Sequence, residues 1–211
     1  MKLYLIRHAE SLRNLGKEHD RLSETGIEQA KRLGLFLKNK HVDYVYCSTM
    51  TRTKETCAFI LPSLKNVKKI TYSDLIREQN VGVFEEKPQK EYSYHILDLK
   101  DKGKDILKYR PEGGETLLEV EKRTQRFIEE LKKKHKKEDH IAIVSHAGYL
   151  RFFILRLLNL SLDEAKYFTI HNASLSTFEL DKNFNVKEYE IDDFKHLLMF
   201  SSYERKRIDK V

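Results

Sequence analysis

Short runs of β-branched and aromatic residues alternate along this chain with stretches whose apolar residues recur at helical spacing. That alternation admits few folds: a largely parallel sheet whose strands are buried on both faces and covered by helices. Leu3-Tyr4-Leu5-Ile6 reads as a buried first strand. A helix is expected after Thr25, where Thr25-Gly26-Ile27-Glu28 has the form of a capping box and Ile27, Ala30, Leu33 and Leu37 share one face. Val42 to Cys47 reads as the second strand, Arg52 to Leu61 as a helix stopped by Pro62, and Lys69 to Tyr72 as a short third strand. A second capping box, Thr116-Leu117-Leu118-Glu119, opens a long helix through Val120, Phe127 and Leu131. Ile141 to Val144 is a further buried strand, with a helix from about Tyr149. Ser174 to Leu180 and Val186 to Ile191 form a closing hairpin around Asp181-Lys182-Asn183.

These elements predict a three-layer α/β/α sandwich, one domain over residues 1–211. The stretch from about 75 to 115, with one helical patch around Tyr92 to Leu99, forms an insertion over one face. At 40% hydrophobic and 35% charged residues, with 3 prolines and 8 glycines, the chain is neither collagen-like nor disordered. Its longest apolar run, Tyr149 to Leu160, is broken by Arg151 and Arg156 and falls short of a membrane span. Leu3 to Ile6 is too short for the apolar region of a signal peptide, so a cytoplasmic location is expected. Two cysteines, Cys47 and Cys57, make no disulfide framework and no Cys-x-x-Cys pair, and read as packed, reduced thiols. The net charge of +7 favours anionic partners without choosing among phosphorylated metabolites, nucleic acid and membrane surfaces.

Position, not composition, singles out the chemistry. In an open α/β sheet, ligands bind beyond the carboxyl ends of the strands. Arg7-His8-Ala9-Glu10 ends the first strand, and Ser145-His146-Ala147-Gly148 ends the strand Ile141 to Val144. Each histidine alone reads as a hydrogen-bonded strand end; two in equivalent places, each followed by alanine, point to a shared site. Arg52 enters a helix just after the second strand. It is placed to grip an anion with its planar fork, or to pair on the surface with Glu55 or Glu10.

Taken in order, Arg7-His8-Ala9-Glu10 with Asn14, Leu22-Ser23 and Gly26, Ser48 and Arg52 with Thr56, Glu78 and Gly82, Gly113-Gly114-Glu115-Thr116, and Ser145-His146-Ala147-Gly148 resemble the histidine phosphatase superfamily, also called the phosphoglycerate mutase-like family. The resemblance spans residues 3 to about 180. It implies a metal-independent phosphoryl transfer, without a cofactor, in which His8 becomes a phosphohistidine. Arg7, Asn14, Arg52 and His146 would hold the phosphoryl oxygens, and Glu78 would be the general acid. Glu85 and Glu86 lie near enough in sequence to share that acid role. The insertion would then cover the active site.

The family contains phosphatases and cofactor-dependent phosphoglycerate mutases. Only Leu15 to Arg21 separate Asn14 from Leu22-Ser23, and the chain has no Trp. The longer loop of the mutases is missing, which favours a phosphatase acting on a small phosphorylated metabolite. Lys87, Lys90, Lys100, Lys102, Lys104 and Lys108 make the insertion basic, either as a roof attracting polyanionic substrates or as a solvated charged face. A nucleic-acid-binding module built on Lys132 to Lys137 is the rival from another class, but no aromatic residues interleave with that run. His19, His41, His95, His135 and His140 read as surface residues. His171-Asn172, Asp192-Asp193 and His196 read as buttresses of the site.

Overall fold

The computed structural model describes residues 1–16 and 19–198. Six strands form one sheet: β1 (Lys2–Arg7), β2 (Tyr44–Ser48), β3 (Lys69–Ser73), β4 (His140–Ser145), β5 (Leu175–Leu180) and β6 (Val186–Asp193). Their order is β3-β2-β4-β1-β5-β6. The first four run parallel, and the β5–β6 hairpin is antiparallel to β1. Five α-helices accompany them: α1 (Glu24–Leu37), α2 (Thr51–Ile60), α3 (Gln89–Asp101), α4 (Leu117–Lys134) and α5 (Ala147–Leu158).

The period of two along each central strand builds the layers. On β1, Leu3 and Leu5 join the core with Ile141 and Ile143 of β4, against Phe127 and Leu131 of α4 and Phe153 of α5. Tyr4 and Ile6 face the other way with Val45, Ala142 and Val144, against Ala30 and Leu33 of α1 and Cys57 and Ile60 of α2. The expected sandwich is what forms. Cys47 and Cys57 are free and buried within the second layer. Contact with the Cys57 thiol, then burial, pushes the Cys47 thiol well above its usual range.

Local signals set most boundaries. Thr116 caps α4 as expected: its Oγ1 accepts from Glu119 N–H at 3.1 Å, while Glu119 accepts from Thr116 N–H at 2.8 Å. The cap of α1 differs. Ser23 Oγ accepts from Gly26 N–H at 2.9 Å, and Thr25 lies exposed inside the first turn. Ser23 prevails because its hydroxyl is itself fixed, donating to the Glu10 carboxylate at 2.6 Å. Pro62 does not stop the second helix at once; α2 continues through a 3-10 turn over Leu61–Ser63. In the insertion, α3 runs wider than the expected patch.

Leu33 and Leu35 lie two residues apart on α1, with Leu33 fully buried and Leu35 66% exposed. Leu33→Ala should cost about 2–5 kcal/mol, and Leu35→Ala no more than about 0.5 kcal/mol. Urea unfolding of the two variants checks this, and similar losses for both would contradict the packing.

Candidate active site

β1 and β4 pair in register from Lys2 opposite His140 to Arg7 opposite Ser145, so His8 and His146 are the next residues on adjacent strands. His8 N–H donates to Ser145 O at 2.9 Å. The two imidazole rings lie 5.2 Å apart, tilted by 59°. His146 is the N-cap residue of α5. Its Nε2 lies 2.8 Å from the hydroxyl of Ser48, the last residue of β2.

The protonation of His8 follows from its partners. Nδ1 is 2.7 Å from the Ala9 carbonyl, which only accepts, so Nδ1 carries the hydrogen. Nε2 keeps its lone pair and accepts from Arg52 Nε at 3.1 Å. Burial drives the His8 pKa well below its ordinary value, with the charges of Arg52 and Arg7 adding and the Ala9 carbonyl opposing. Burial does the same to His146, aided by Arg52, His8, Arg123 and Arg7. Both rings are neutral at neutral pH. Thr56 locks this loop to α2: its hydroxyl accepts from Ala9 N–H at 3.0 Å and donates to Arg52 O at 2.7 Å.

Arg52 is only 5% exposed. Its ionic partner is Asp20 rather than Glu55 or Glu10; Glu55 accepts from Leu22 N–H, and Glu10 is engaged by Ser23. Arg7 NH1 donates to Ile170 O at 2.6 Å, and Arg151 Nε to Phe168 O at 2.8 Å, so one segment anchors two guanidinium groups. Burial, opposed by Glu78 and reinforced by Arg151 and Arg52, lowers the Arg7 pKa to about 10, so it stays charged at neutral pH. Asn14 Oδ1 accepts from Ser11 N–H and Oγ and from Asn172 Nδ2. What remains to meet an anion is its amide NH2.

Two buried polar atoms here have no hydrogen-bond partner among the described residues: Arg7 Nε and His146 Nδ1. An unsatisfied buried group of this kind costs roughly 1–3 kcal/mol. Of the two, Arg7 Nε is a donor in any state, and Arg7 lines the same cavity as His8, where an anion would offer it acceptor oxygens.

Glu78 sits at the N-terminus of α5, its carboxylate accepting from Gly148 N–H at 3.0 Å and Tyr149 N–H at 3.1 Å. A methyl group on Gly148 would overlap that carboxylate, so the close approach requires glycine. Arg123 holds the loop from behind. It donates to Leu75 O at 2.9 Å and Glu78 O at 3.1 Å, and it forms an ion pair with Glu115 at 3.0 Å. Gly82, at φ +56°, lets this loop press on the Glu112 carbonyl, where any side chain would collide.

Arg7, His8, Asn14, Arg52 and Glu78 line one cavity of about 500 Å³. His146 is off the cavity wall, which reaches its neighbours Ala147 and Gly148. Glu85 is on the wall, engaged by Arg13 at 3.2 Å and by Val81 N–H at 3.0 Å; Glu86 is not. None of the six insertion lysines lines the cavity; Val81, Phe84, Tyr92, Ser93 and Ile96 do. The basic roof is therefore the solvated-face alternative.

The sequence reading missed Asp20, Arg13, Arg151 and Arg123. Only Arg151 left a signal, as a charge interrupting an apolar helix. Asn172 acts as a buttress, donating to His8 O at 3.0 Å, and His171 reaches Asp192 at 2.5 Å. His135 is not a surface residue. It packs edge-on against Tyr44 and Tyr46, its Nε2 2.8 Å from the Tyr46 hydroxyl.

Comparison with known proteins identifies the family and the fold. The histidine phosphatase superfamily (branch 1) matches residues 3–192. Phosphoserine phosphatase 1 of Hydrogenobacter thermophilus is 31% identical over 194 residues, 88% of this chain and 90% of that protein. The bovine fructose-2,6-bisphosphatase TIGAR is 36% identical over 137 residues, 60% of this chain but 49% of that protein. Among solved structures, the α-ribazole phosphatase from Shigella flexneri shares the fold, with a TM-score of 0.78 at 24% identity over 92% of this chain and 96% of that one. The chain is a member of the histidine phosphatase superfamily.

Proposed function

We propose that this protein hydrolyses phosphomonoesters of small metabolites through a phosphohistidine on His8, without a metal ion. One observation carries the reading most: a neutral imidazole, its Nε2 lone pair facing Arg52 and its Nδ1–H held by Ala9 O, beside two buried, unpartnered polar atoms.

In the first step Nε2 of His8 attacks phosphorus, the ester O–P bond breaks, and the leaving alkoxide takes a proton from the Glu78 carboxyl. That step requires Glu78 to be in its acid form when the ester binds. In the second step water attacks the phosphohistidine, gives its proton to Glu78, and the N–P bond breaks, returning neutral His8 and inorganic phosphate. Arg7, Arg52, Asn14 and His146 would hold the phosphoryl oxygens. Phosphoryl transfer rests on positioning and fixed positive charge, which is what these groups supply.

A nucleic-acid-binding role draws little support from the basic run Lys132 to Lys137, because three of its five lysines are engaged within the protein. Lys132 lies over the Phe184 ring, and Lys134 and Lys137 pair with Glu130 and Glu138. No helix among the described residues is long and apolar enough to cross a membrane. We place the enzyme in the cytoplasm with its metabolite substrates.

His8→Ala should lower kcat by roughly three orders of magnitude or more. The native protein should yield an acid-labile, base-stable phosphoenzyme in rapid-quench labelling. Full turnover by the alanine variant would refute the nucleophile. Glu78→Gln should slow alkyl phosphates by about 10²–10⁴-fold but p-nitrophenyl phosphate far less; equal losses would refute the acid role.

His8 and His146 are held neutral when folded and take up protons more readily when unfolded. Stability should therefore be full above the ordinary histidine value near 6.5 and decline as pH falls below it. Melting temperatures at pH 7.5 and 5.5 measure the decline, and a His8→Asn/His146→Asn double variant should show less of it. An undiminished decline would place its source elsewhere.

A further inference from the structure

The cavity has two chemically different ends, and the second has no established occupant. At one end Arg52 meets His8 and Arg7 precedes it, and Arg151 is anchored on the same 168–170 segment as Arg7. The remaining wall is formed largely by Val81, Phe84, Tyr92, Ile96, Leu117 and Phe152. The polar groups beside that apolar wall are engaged with one another. Tyr92 OH donates to Gln79 Oε1 at 3.1 Å, and Gln79 Nε2 donates to Glu115 O at 2.8 Å. Arg13 is held by the Glu85 carboxylate and by the carbonyls of Glu85 and Phe84.

A sugar hydroxyl or a second phosphate entering this end would face mostly apolar side chains, or compete for polar groups that these bonds already use. An apolar body would break none and would lose its contact with water. The cavity, at about 500 Å³, is within the range that encloses a small ligand, so a phosphoryl group and one ring fit together.

We propose that the preferred substrates are monophosphates of an apolar or aromatic alcohol, with the body of the alcohol seated between α3 of the insertion and the α4–α5 wall. Sugar bisphosphates should be poorer substrates, because Arg13 would have to give up its Glu85 contacts to meet the second anion. The assignment rests on the phosphatase reading above and deepens it.

The test uses the full chain and alkyl phosphates whose leaving alkoxides differ little in basicity. From ethyl to n-butyl phosphate, kcat/KM should rise by about fourfold per methylene. 2-Phenylethyl phosphate should exceed ethyl phosphate by at least about tenfold and exceed both glucose 6-phosphate and fructose 1,6-bisphosphate. Ile96→Asn should lower the ratio of 2-phenylethyl to ethyl phosphate. A ratio near or below one in the native protein, or a preference for the bisphosphate, overturns the proposal while leaving the phosphatase reading intact. Calorimetry with 2-phenylethylphosphonate and ethylphosphonate gives the converse separation, because neither is hydrolysed. Tighter binding of the former without turnover of any ester would sustain the apolar subsite and overturn the hydrolase reading. Equal affinities would overturn the subsite.

Discussion

Everything at the site depends on the register in which β1 pairs with β4. The strands are parallel and neighbouring, and both are buried on two faces, so their residues alternate between the α4–α5 layer and the α1–α2 layer. A slip of one residue would exchange the two sets and put Leu3 and Leu5 where Tyr4 and Ile6 pack. The same register places Arg7 opposite Ser145 and makes His8 and His146 neighbours just beyond the last pair. Packing energy far from the chemistry thus fixes the distance between two imidazoles.

Once the rings are placed, their protonation follows from burial and unbalanced charge. The charges that act on His8 are both positive, those of Arg52 and Arg7. The carboxylates nearby are directed elsewhere: Asp20 to the guanidinium of Arg52, Glu78 to the N-terminus of α5, and Glu85 to Arg13. An imidazole without a facing carboxylate stays neutral in low dielectric. The site therefore keeps positive charge for an anion beside an unprotonated Nε2, whose bond from Arg52 would be exchanged for the phosphorus in the proposed attack.

Much of this was legible in sequence because it is local. Strand periods, the Thr116 box and the two strand-end histidines all depend on residues within a few positions of one another. What was not legible is tertiary. Ser23 displaces Thr25 as the α1 cap because Glu10, thirteen residues earlier, holds its hydroxyl. Asp20 reaches Arg52, and Asn172 reaches His8, across folds that no spacing encodes. His135 looked solvent-facing because its sequence neighbours are lysines, yet Tyr44 and Tyr46 of β2 enclose its ring. The insertion lysines misled in the same way: charge along the chain is visible, but the face it occupies is not.

The two ends of the cavity also bear on the choice between hydrolysis and transfer. A mutase must keep a doubly anionic intermediate bound while it presents one phosphoryl group and then the other to the same histidine. That requires a second cationic cradle within the same pocket. Here the guanidinium groups gather at the His8 end, and the cation on the remaining wall, Arg13, is already bound by Glu85. An apolar alcohol released into such a pocket has no charge to hold it while it turns, so it leaves. On the proposed mechanism a phosphohistidine at His8 would then face water as its acceptor, and the distribution of charge in the cavity, rather than any difference at His8 itself, would direct that intermediate to hydrolysis.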